Sequence, residues 1–329
     1  MQPFTYARAA HIQSAAKAIA HHPGAEFIAG GTDMLQLLKD GQRAPTQLID
    51  INDLPMAGCD VTSSGARIGA LARMSEVADD AGIIENFPAV SQALLLSASA
   101  QLRNMASIGG NLLQRTRCSY FRDTAFDTCN KRVPGSGCAA IGGENRMHAV
   151  HGGSDACVAT HASDLAVALV ALDAVLNIAG PDSERSVPLE HFHTLPGDAP
   201  HIETTLRTGE IIFRVDVPAA PHARRSYYLK VRDRASYEFA LVSAAVGLEI
   251  HDGRIRDARI AMGGVGTKPW RMRCVEKILV GAKVQEATWR AAAEQAVDGA
   301  RPLEKNLFKL ELIKRTLTRA LQTLAHEAS

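Results

Sequence analysis

The sequence predicts an α+β protein made of two domains, and three observations lead to this prediction. The chain has 329 residues, 46% of them hydrophobic, which is enough for a substantial core and more than one domain usually needs. Short strand and helix patterns occupy its first two-thirds. After Ala219-Ala220-Pro221 the pattern changes to three longer strands followed by helices. We therefore predict domains at 1–220 and 221–329.

Charge and hydropathy exclude some classes of protein. Lys plus Arg number 36 and Asp plus Glu 35, so the net charge of +1 lacks the basic excess of a nucleic-acid binder. The apolar stretch Leu165–Ala179 is too short to span a bilayer and is interrupted by Asp173. We expect no membrane span and see no export signal in the first residues.

The first fifty residues follow a strand, helix, strand order. The predicted elements are strands at Phe4–Ala7, Phe27–Ala29 and Leu48–Ile51, and helices at Ile12–His21 and Met34–Lys39. Pro23 and Gly24 end the first helix. We expect this unit to form a subdomain over about 1–57.

Residues 58–220 are predicted to form the second subdomain. A strand at Arg67–Ala70 leads into helices near Met74–Ala81, Ala89–Ala98 and Gln101–Met105. Ser163 is placed to cap a helix that carries Leu165, Leu169 and Leu172, and strands follow at about Ala174–Ile178, Arg185–Pro188 and Glu210–Val217. Between these parts, residues 114–162 read as one long loop, which is unusual unless something holds it.

The last hundred residues predict a small sheet covered by helices. Strands are expected at Ser226–Arg232, Phe239–His251 and Arg254–Gly263, with Asp252-Gly253 as a hairpin turn. Helices are expected at about Met272–Leu279, Ala287–Val297 and Glu304–Ala325. The domain is therefore predicted to be a three-stranded antiparallel sheet with helices.

Two glycine pairs stand where short apolar steps run into helix starts. They are Ile28-Ala29-Gly30-Gly31-Thr32-Asp33 and Ala106-Ser107-Ile108-Gly109-Gly110-Asn111. Glycine lets a backbone approach a phosphate, and helix N-termini offer free N–H donors, so the two loops together could cradle a dinucleotide. Tight turns explain them equally well. Neither has the GxGxxG spacing of a Rossmann site.

Four cysteines fall within one 40-residue window of the long loop. They are Cys118, Cys129, Cys138 and Cys157, separated by ten, eight and eighteen residues, and the cations around them are Arg115, Arg117, Arg122, Lys131, Arg132 and Arg146. Cations favour an iron–sulfur site, because a cluster held by four thiolates is negatively charged. The spacing itself is not diagnostic, and a zinc site or free structural thiols are the alternatives.

Other polar groups give weaker signals. Ser163-Asp164 reads as a helix cap that needs no ligand, and most of the twelve histidines are expected on the surface. No acid–base pair or nucleophile motif is evident. We predict no catalytic residues on this chain.

Three segments in order, IAGGTDMLQLLK, QLRNMASIGGNLLQ and SDLAVALVALDAVL, resemble the FAD-binding medium subunits of the xanthine dehydrogenase or molybdenum hydroxylase family. The resemblance covers the whole chain, including YYLKVRDRASYEFALVSAAVGL. It implies a two-part, non-Rossmann FAD-binding domain of the PCMH type, followed by a C-terminal α+β domain of the CO dehydrogenase flavoprotein type. The insert at about 114–162 is most similar to that of periplasmic aldehyde oxidoreductases, whose flavin subunit carries a [4Fe-4S] cluster.

The resemblance assigns roles to particular residues. It places Ile28, Ala29, Gly30, Gly31, Thr32 and Asp33 around the FAD pyrophosphate, with Ser107, Gly110 and Asn111 opposite. It places Ser163 and Asp164 near the ribityl or phosphate region, and Ile212 and Lys230 near the isoalloxazine. It implies that Cys118, Cys129, Cys138 and Cys157 ligate the cluster.

The implied function is electron transfer within a heterotrimeric aldehyde oxidoreductase. A large subunit would hold the molybdenum cofactor, a small subunit two [2Fe-2S] clusters, and FAD here would pass electrons to an external acceptor. A 4-hydroxybenzoyl-CoA reductase or a xanthine dehydrogenase is the alternative within the class, and a zinc-stabilised structural partner the alternative outside it. The compartment is expected to be cytoplasmic or periplasmic, because a partner subunit can carry the export signal.

Overall fold

The computed structural model describes residues 1–326 and contains three β-sheets. The first sheet is parallel and three-stranded, in the order β1-β3-β2. Its elements are β1 (Thr5–Arg8), α1 (Ile12–His21), β2 (Ala25–Ile28), α2 (Met34–Lys39) and β3 (Gln47–Asp50). The central strand β3 is buried by its neighbours, and Ala15 and Ala16 of α1 let the helix pack closely. The small unit thus delivers the first glycine pair to the end of β2.

The second sheet is antiparallel and five-stranded, in the order β4-β5-β8-β6-β7. Its strands are β4 (Cys59–Thr62), β5 (Gly65–Gly69), β6 (Val175–Ala179), β7 (Glu184–Pro188) and β8 (Ile211–Pro218). A short 3-10 helix, Leu189–His191, follows β7. The helices before the insert are α3 (Met74–Asp79), α4 (Ala81–Asn86), α5 (Pro88–Leu95), α6 (Ala100–Met105) and α7 (Ile108–Leu112). They pack on the sheet around one apolar core.

The long insert contains two short helices, α8 (Ser119–Arg122) and α9 (Ala139–Gly142). The sequence had predicted a loop without elements. One-turn helices are too short to show a hydrophobic period, so the pattern could not reveal them. The remainder of the insert is irregular, and its polar side chains tie it to the rest of the molecule.

Helix α10 (Asp164–Ala171) is buried along its whole length. The Ser163 hydroxyl caps it by accepting the Ala166 N–H at 2.9 Å. The helix packs against α5 on one side and, on another, against the C-terminal sheet. A helix that is apolar on every side needs such a position, and α10 therefore connects the two parts of the chain.

The C-terminal sheet is antiparallel, in the order β12-β11-β10-β9. After α11 (Pro221–Arg224), its elements are β9 (Ser226–Val231), β10 (Val242–His251), β11 (Arg254–Gly263), β12 (Trp270–Arg271), α12 (Arg273–Leu279), α13 (Glu286–Gln295) and α14 (Phe308–His326). The predicted α+β fold class is confirmed. The sheet has a fourth strand, β12, that the sequence did not predict. A strand of two residues is too short to show an alternation of apolar and polar side chains. None of the helices within residues 1–326 is both long and apolar enough to cross a bilayer.

Candidate functional site

A cavity of about 690 Å³ opens where the first two sheets, the insert and the C-terminal sheet meet. Of the thirteen residues that the resemblance assigned to FAD, the cavity is lined by twelve: Ile28, Ala29, Gly30, Gly31, Thr32, Asp33, Ser107, Gly110, Asn111, Asp164, Ile212 and Lys230. They come from β2, α7, α10, β8 and β9 and are distant in sequence. Volumes of about 300–1,000 Å³ are typical of small-molecule sites.

The first glycine loop presents unpaired backbone donors to this cavity. Within residues 1–326, the N–H groups of residues 30 to 33 have no hydrogen-bond acceptor. Gly31 has a φ of 71°, a backbone angle that residues with a side chain rarely adopt. A Cβ on Gly30 would lie 1.8 Å from the carbonyl oxygen of Met105. Glycine at position 30 is therefore required by the close approach of the two loops to each other.

The second glycine loop has a different geometry at each glycine. Ser107 caps α7, and its hydroxyl accepts the Gly110 N–H at 3.3 Å. A Cβ on Gly109 would lie 3.0 Å from that of Ala70, so this residue packs against β5's end. A Cβ on Gly110 would meet the Ser107 hydroxyl at 2.9 Å and otherwise open space. Gly110 is thus the glycine at which a side chain would project into the cavity.

Ser163 lies behind the cavity wall, and its hydroxyl is hydrogen-bonded to the Asn111 carboxamide oxygen. The Asn111 amide contacts the Met74 sulfur at 3.4 Å. The structure therefore gives Ser163 a local role, as cap of α10 and as support for Asn111. Its assignment as a cofactor contact stays a prediction of the resemblance.

Asp164 and Lys230 form a buried ion pair at the inner end of the cavity. The Lys230 Nζ lies 2.7 Å from Asp164 Oδ2 and also donates to the Leu96 carbonyl at 3.1 Å. Asp164 further accepts hydrogen bonds from Tyr228 at 2.6 Å and Ser97 at 3.1 Å. Burial, together with the Asp164 charge, raises the pKa of Tyr228 well above its ordinary value. The phenol therefore stays a donor to the carboxylate.

Sequence reasoning missed two histidines in the cavity wall. The Nε2 atoms of His161 and His193 lie 3.1 Å apart, and His193 Nε2 is also 3.0 Å from the Leu112 carbonyl oxygen. Burial lowers the pKa of both, to about 4 for His193, so both rings are neutral at pH 7. Most of the twelve histidines are exposed, as expected, but this pair is among the exceptions. No motif or spacing in the sequence signals it.

The Asp33 side chain points to the insert. Its Oδ1 lies 2.9 Å from a guanidinium nitrogen of Arg117 and 2.9 Å from one of Arg122. Its Oδ2 accepts the backbone N–H of Arg115 at 2.9 Å. All three partners precede or follow Cys118 closely in the chain. The carboxylate therefore ties the first glycine loop to the start of the insert.

The four cysteines of the insert line one small cavity of about 10 Å³, and all four are free thiols. The backbones of Cys129 and Cys138 are paired as an antiparallel bridge, while Cys118 and Cys157 come from the two ends of the insert. Within residues 1–326, no three His, Cys, Asp or Glu side chains are arranged to hold a single metal ion. The four thiols lie around the wall of the cavity.

Cys118 lies beside a buried histidine. His148 Nε2 is 3.1 Å from Cys118 Sγ. Burial raises the pKa of Cys118 to about 12 and lowers that of His148 to about 4. Lys309 Nζ donates to the His148 carbonyl oxygen at 3.0 Å, and the Asn306 side-chain amide does so at 3.2 Å. The start of α14 and the turn before it thereby hold the backbone of His148.

The cations of the insert are largely paired with carboxylates. Glu203 contacts Arg115 and Lys131, and Asp33 contacts Arg117 and Arg122, while Arg146 pairs with Asp233. Arg132 donates instead to backbone carbonyls, among them that of Tyr120 at 2.6 Å. The local positive charge is thus smaller than the sequence suggests, since the sequence does not show where these partners lie.

Comparisons with known proteins agree with this architecture. A model of the FAD-binding domain in molybdopterin dehydrogenase matches residues 2–220, and one of the CO dehydrogenase flavoprotein C-terminal domain matches residues 227–324. The chain is 47% identical to the aldehyde oxidoreductase FAD-binding subunit PaoB of Escherichia coli over 324 residues, 98% of each chain. It is 25% identical over 327 residues to the glyceraldehyde dehydrogenase medium chain of Sulfolobus acidocaldarius, again 98% of each.

Solved structures show the same fold. Quinoline 2-oxidoreductase from Pseudomonas putida 86 superposes with a TM-score of 0.75 at 25% identity, covering 99% of this chain and 98% of that one. A reconstituted CO dehydrogenase from Oligotropha carboxidovorans gives 0.77 at 20% identity, with 99% of each chain covered. The similarity to the CO dehydrogenase chain, at 20% identity, shows a shared fold only.

Fold, cavity and matches together define a two-segment flavoprotein. The chain belongs to the FAD-binding subunits of the molybdenum hydroxylase family. It is therefore an oxidoreductase subunit, and the family predicted from the three sequence segments is confirmed.

Proposed function

We propose that this chain is the FAD- and [4Fe-4S]-containing electron-transfer subunit of a molybdenum-dependent aldehyde oxidoreductase. The observation that carries the proposal is the juxtaposition of the two cavities. Lys131, Cys157 and Ala159 line both of them. When bound, FAD would supply one- and two-electron redox chemistry and the cluster one-electron chemistry, and the chain would hold and orient both.

The flavin cavity fits a dinucleotide. The unpaired N–H groups of residues 30 to 33 would donate to the pyrophosphate oxygens, since an anion can accept hydrogen bonds from several unpaired backbone donors. Gly110 leaves the opposite wall open to the same oxygens. Asp164 and Lys230 neutralise each other, so the inner end of the cavity offers a neutral surface to the uncharged isoalloxazine.

The cysteine cavity fits a cluster in its donor set. Four thiols, the ligands that iron–sulfur clusters use, meet in a shared space although they are spread over forty residues. Its volume of about 10 Å³ is close to what one water molecule needs. Loading a cluster would therefore require the thiol side chains to move outward. Two of them, Cys118 and Cys138, are only partly buried.

We infer the partner subunits and the substrate class from the similar proteins. The large molybdenum-cofactor subunit and the small [2Fe-2S] subunit would deliver electrons to the flavin, and an external acceptor would remove them. We assign aldehydes as the substrate class because the relative at 47% identity is an aldehyde oxidoreductase subunit, whereas the xanthine dehydrogenase FAD-binding subunits are 24% identical. The substrate itself would bind on the large subunit.

The test is a cofactor inventory of the anaerobically purified complex. We expect one FAD per chain and about four iron and four sulfide beyond those of the small subunit. Cys129→Ser should lose that iron and its EPR signal after dithionite reduction. Cys274→Ser, at an exposed cysteine, is the matched control and should keep both. Flavin without the additional iron in the unaltered complex would refute the cluster assignment.

A further inference from the structure

We propose that Arg122, through Asp33, couples the four-cysteine site to the flavin cavity, so that an assembled cluster tightens FAD binding. Arg122 acts here as a positioning residue. The inference rests on the proposed function, because it assumes that both cofactors are bound. Three observations support the inference: the ionic contacts of Arg122, the apolar contacts of α2, and the wall of the flavin cavity that the insert forms.

The ionic contacts link the first glycine loop to the segment that bears Cys118. Arg122 donates to Asp33 Oδ1 at 2.9 Å, to the Thr116 carbonyl at 2.9 Å and to the Arg115 carbonyl at 3.0 Å. The Cys118 carbonyl in turn accepts the Arg122 backbone N–H at 3.0 Å. The side chains of Arg122 and Asp33 are 15% and 16% exposed, so solvent screens their interaction only partly. One guanidinium thus holds both the loop and the cysteine segment.

The apolar contacts link the cysteine cavity to α2. Leu37, in the middle of α2, is buried in a small cluster with Phe121, Cys129 and Cys118. Phe121, Cys129 and Cys118 also line the cysteine cavity. Because protein interiors are close-packed, an outward movement of these residues must be transmitted to Leu37. Helix α2 begins directly after the glycine loop, so the movement reaches the flavin donors.

The shared wall gives the coupling its sign. Arg115, Arg117, Lys131, Cys157 and Thr160 of the insert close one side of the flavin cavity. The insert has little regular structure of its own, so it depends on cross-links to keep this position. A cluster bound by four thiolates would cross-link both ends of the insert. The cluster would thereby hold this wall of the flavin cavity in place. We therefore expect that cluster assembly strengthens FAD binding.

The experiment is a double-mutant cycle on the deflavinated complex with its partner subunits, titrated with FAD and followed by flavin fluorescence. The variants are Cys129→Ser, Arg122→Gln and the two combined. Within residues 1–326, Arg122 lines neither cavity, so its loss removes no direct cofactor contact. Arg146→Gln is the matched control, because Arg146 is also an insert arginine but pairs with Asp233. Iron per chain is measured for every variant.

We expect Cys129→Ser to weaken FAD binding about tenfold, within the range of typical coupling between sites. Arg122→Gln should weaken it by a similar factor while keeping its iron, and the combination should bind FAD no worse than either. Arg122→Lys, which keeps the charge beside Asp33, should restore most of the affinity. Arg146→Gln should bind FAD like the unaltered chain.

Two results would overturn the coupling: FAD affinity unchanged in iron-replete Arg122→Gln, or losses that multiply in the combined variant. Both results differ from failure of the proposed function. If the proposed function is wrong, the unaltered complex will itself lack the additional iron or the flavin. Should Arg122→Gln not fold, Arg122→Met, which is also uncharged and stands at the same position outside both cavities, takes its place in the cycle.

Discussion

The flavin cavity and the cysteine cavity lie side by side but are built differently. The flavin cavity is large, about 690 Å³, and its two glycine loops are fixed by backbone contacts such as the approach of Gly30 to Met105. The cysteine cavity is small, about 10 Å³, and its position depends on side chains, chiefly the ion pairs of Asp33 and Glu203.

The difference teaches which perturbations each site can tolerate. A site formed by backbone groups, such as the two glycine loops, is preorganised. It tolerates the removal of single side chains, but it does not tolerate a Cβ added at a close contact. A site made of side chains depends on each residue and on its cross-links.

The largest effect is expected for Gly30→Val. Its Cβ would be placed 1.8 Å from a carbonyl oxygen that also accepts a hydrogen bond from Arg73 at 2.6 Å, so the loops must separate. We expect a destabilisation of about 4 kcal/mol or more, measured by urea unfolding of the flavin-free chain. Gly58→Val is the control, since its Cβ meets nothing within 4 Å. Equal stability of the two variants would contradict the backbone account of this loop.

Lys230→Met is expected to reduce stability by about 3 kcal/mol, because it leaves Asp164 charged, buried and short of one partner. The same measurement of unfolding applies. FAD affinity of the folded fraction should change much less than stability, since the Lys230 side chain is 1% exposed and its Nζ is already held by Asp164 and the Leu96 carbonyl. A large loss of affinity with unchanged stability would instead favour a direct contact with the flavin.

Gly110→Val separates binding from folding. The side chain would enter open cavity space after a small shift of the Ser107 hydroxyl, so the change in unfolding free energy should stay below about 1 kcal/mol relative to the parent. FAD should no longer be retained, because the valine methyls would occupy the position that we propose for the pyrophosphate. Normal flavin content on gel filtration would remove the model of two loops around one dinucleotide.

Glu210→Gln tests a smaller, pH-dependent contribution in the flavin cavity wall. Arg185 binds Glu210 through two nitrogens, each at 2.7 Å, and holds the pKa of that carboxyl below its ordinary value. A lowered pKa stabilises the fold above the unfolded-state pKa of about 4.3, and this stability is lost as pH falls further. We expect a loss of about 1 kcal/mol at pH 7 that shrinks below pH 4. The exposed pair of Glu286 and Arg290 should show no such effect.

An effect of similar size, on a redox potential instead of on stability, is expected at His148. In the proposed cluster site, a Cys118 thiolate could only accept a hydrogen bond, so His148 Nε2, 3.1 Å away, would donate and stabilise the reduced, more negative form. His148→Leu should lower the midpoint potential by roughly 40 mV, which corresponds to about 1 kcal/mol in a one-electron couple. Redox titration by EPR measures it. His148→Gln, which keeps an amide donor, should recover part of the shift.

Much of the fold was readable from the sequence. Helix α1 and strand β11 have the predicted bounds, the first glycine pair follows strand β2, and the second lies at the start of helix α7. These features are local, since glycine, capping residues and hydrophobic periods act over a few neighbours. Strand β12 and the helices α8 and α9 are too short to carry such a period.

The site was predicted only in part, because its key contacts are distant in sequence. The pairing of Asp33 with Arg122 joins residues that are 89 positions apart, and that of Asp164 with Lys230 joins residues 66 apart. The sequence identified these acids by their position in motifs, but it could not show which cations face them. For the same reason His161 and His193 were not recognised as a buried pair.

Helix α10 bears on whether the chain can be divided. It starts at Asp164 in the flavin cavity, and Asp173, just beyond its end, is bound by Arg259 and Arg271 of the C-terminal sheet, each at 2.7 Å. A polypeptide cut after residue 220 would leave this apolar helix without the strands that cover one side. The two segments are thus covalent neighbours that share part of their interior, and neither is a module that could be exchanged without redesigning the surface of α10.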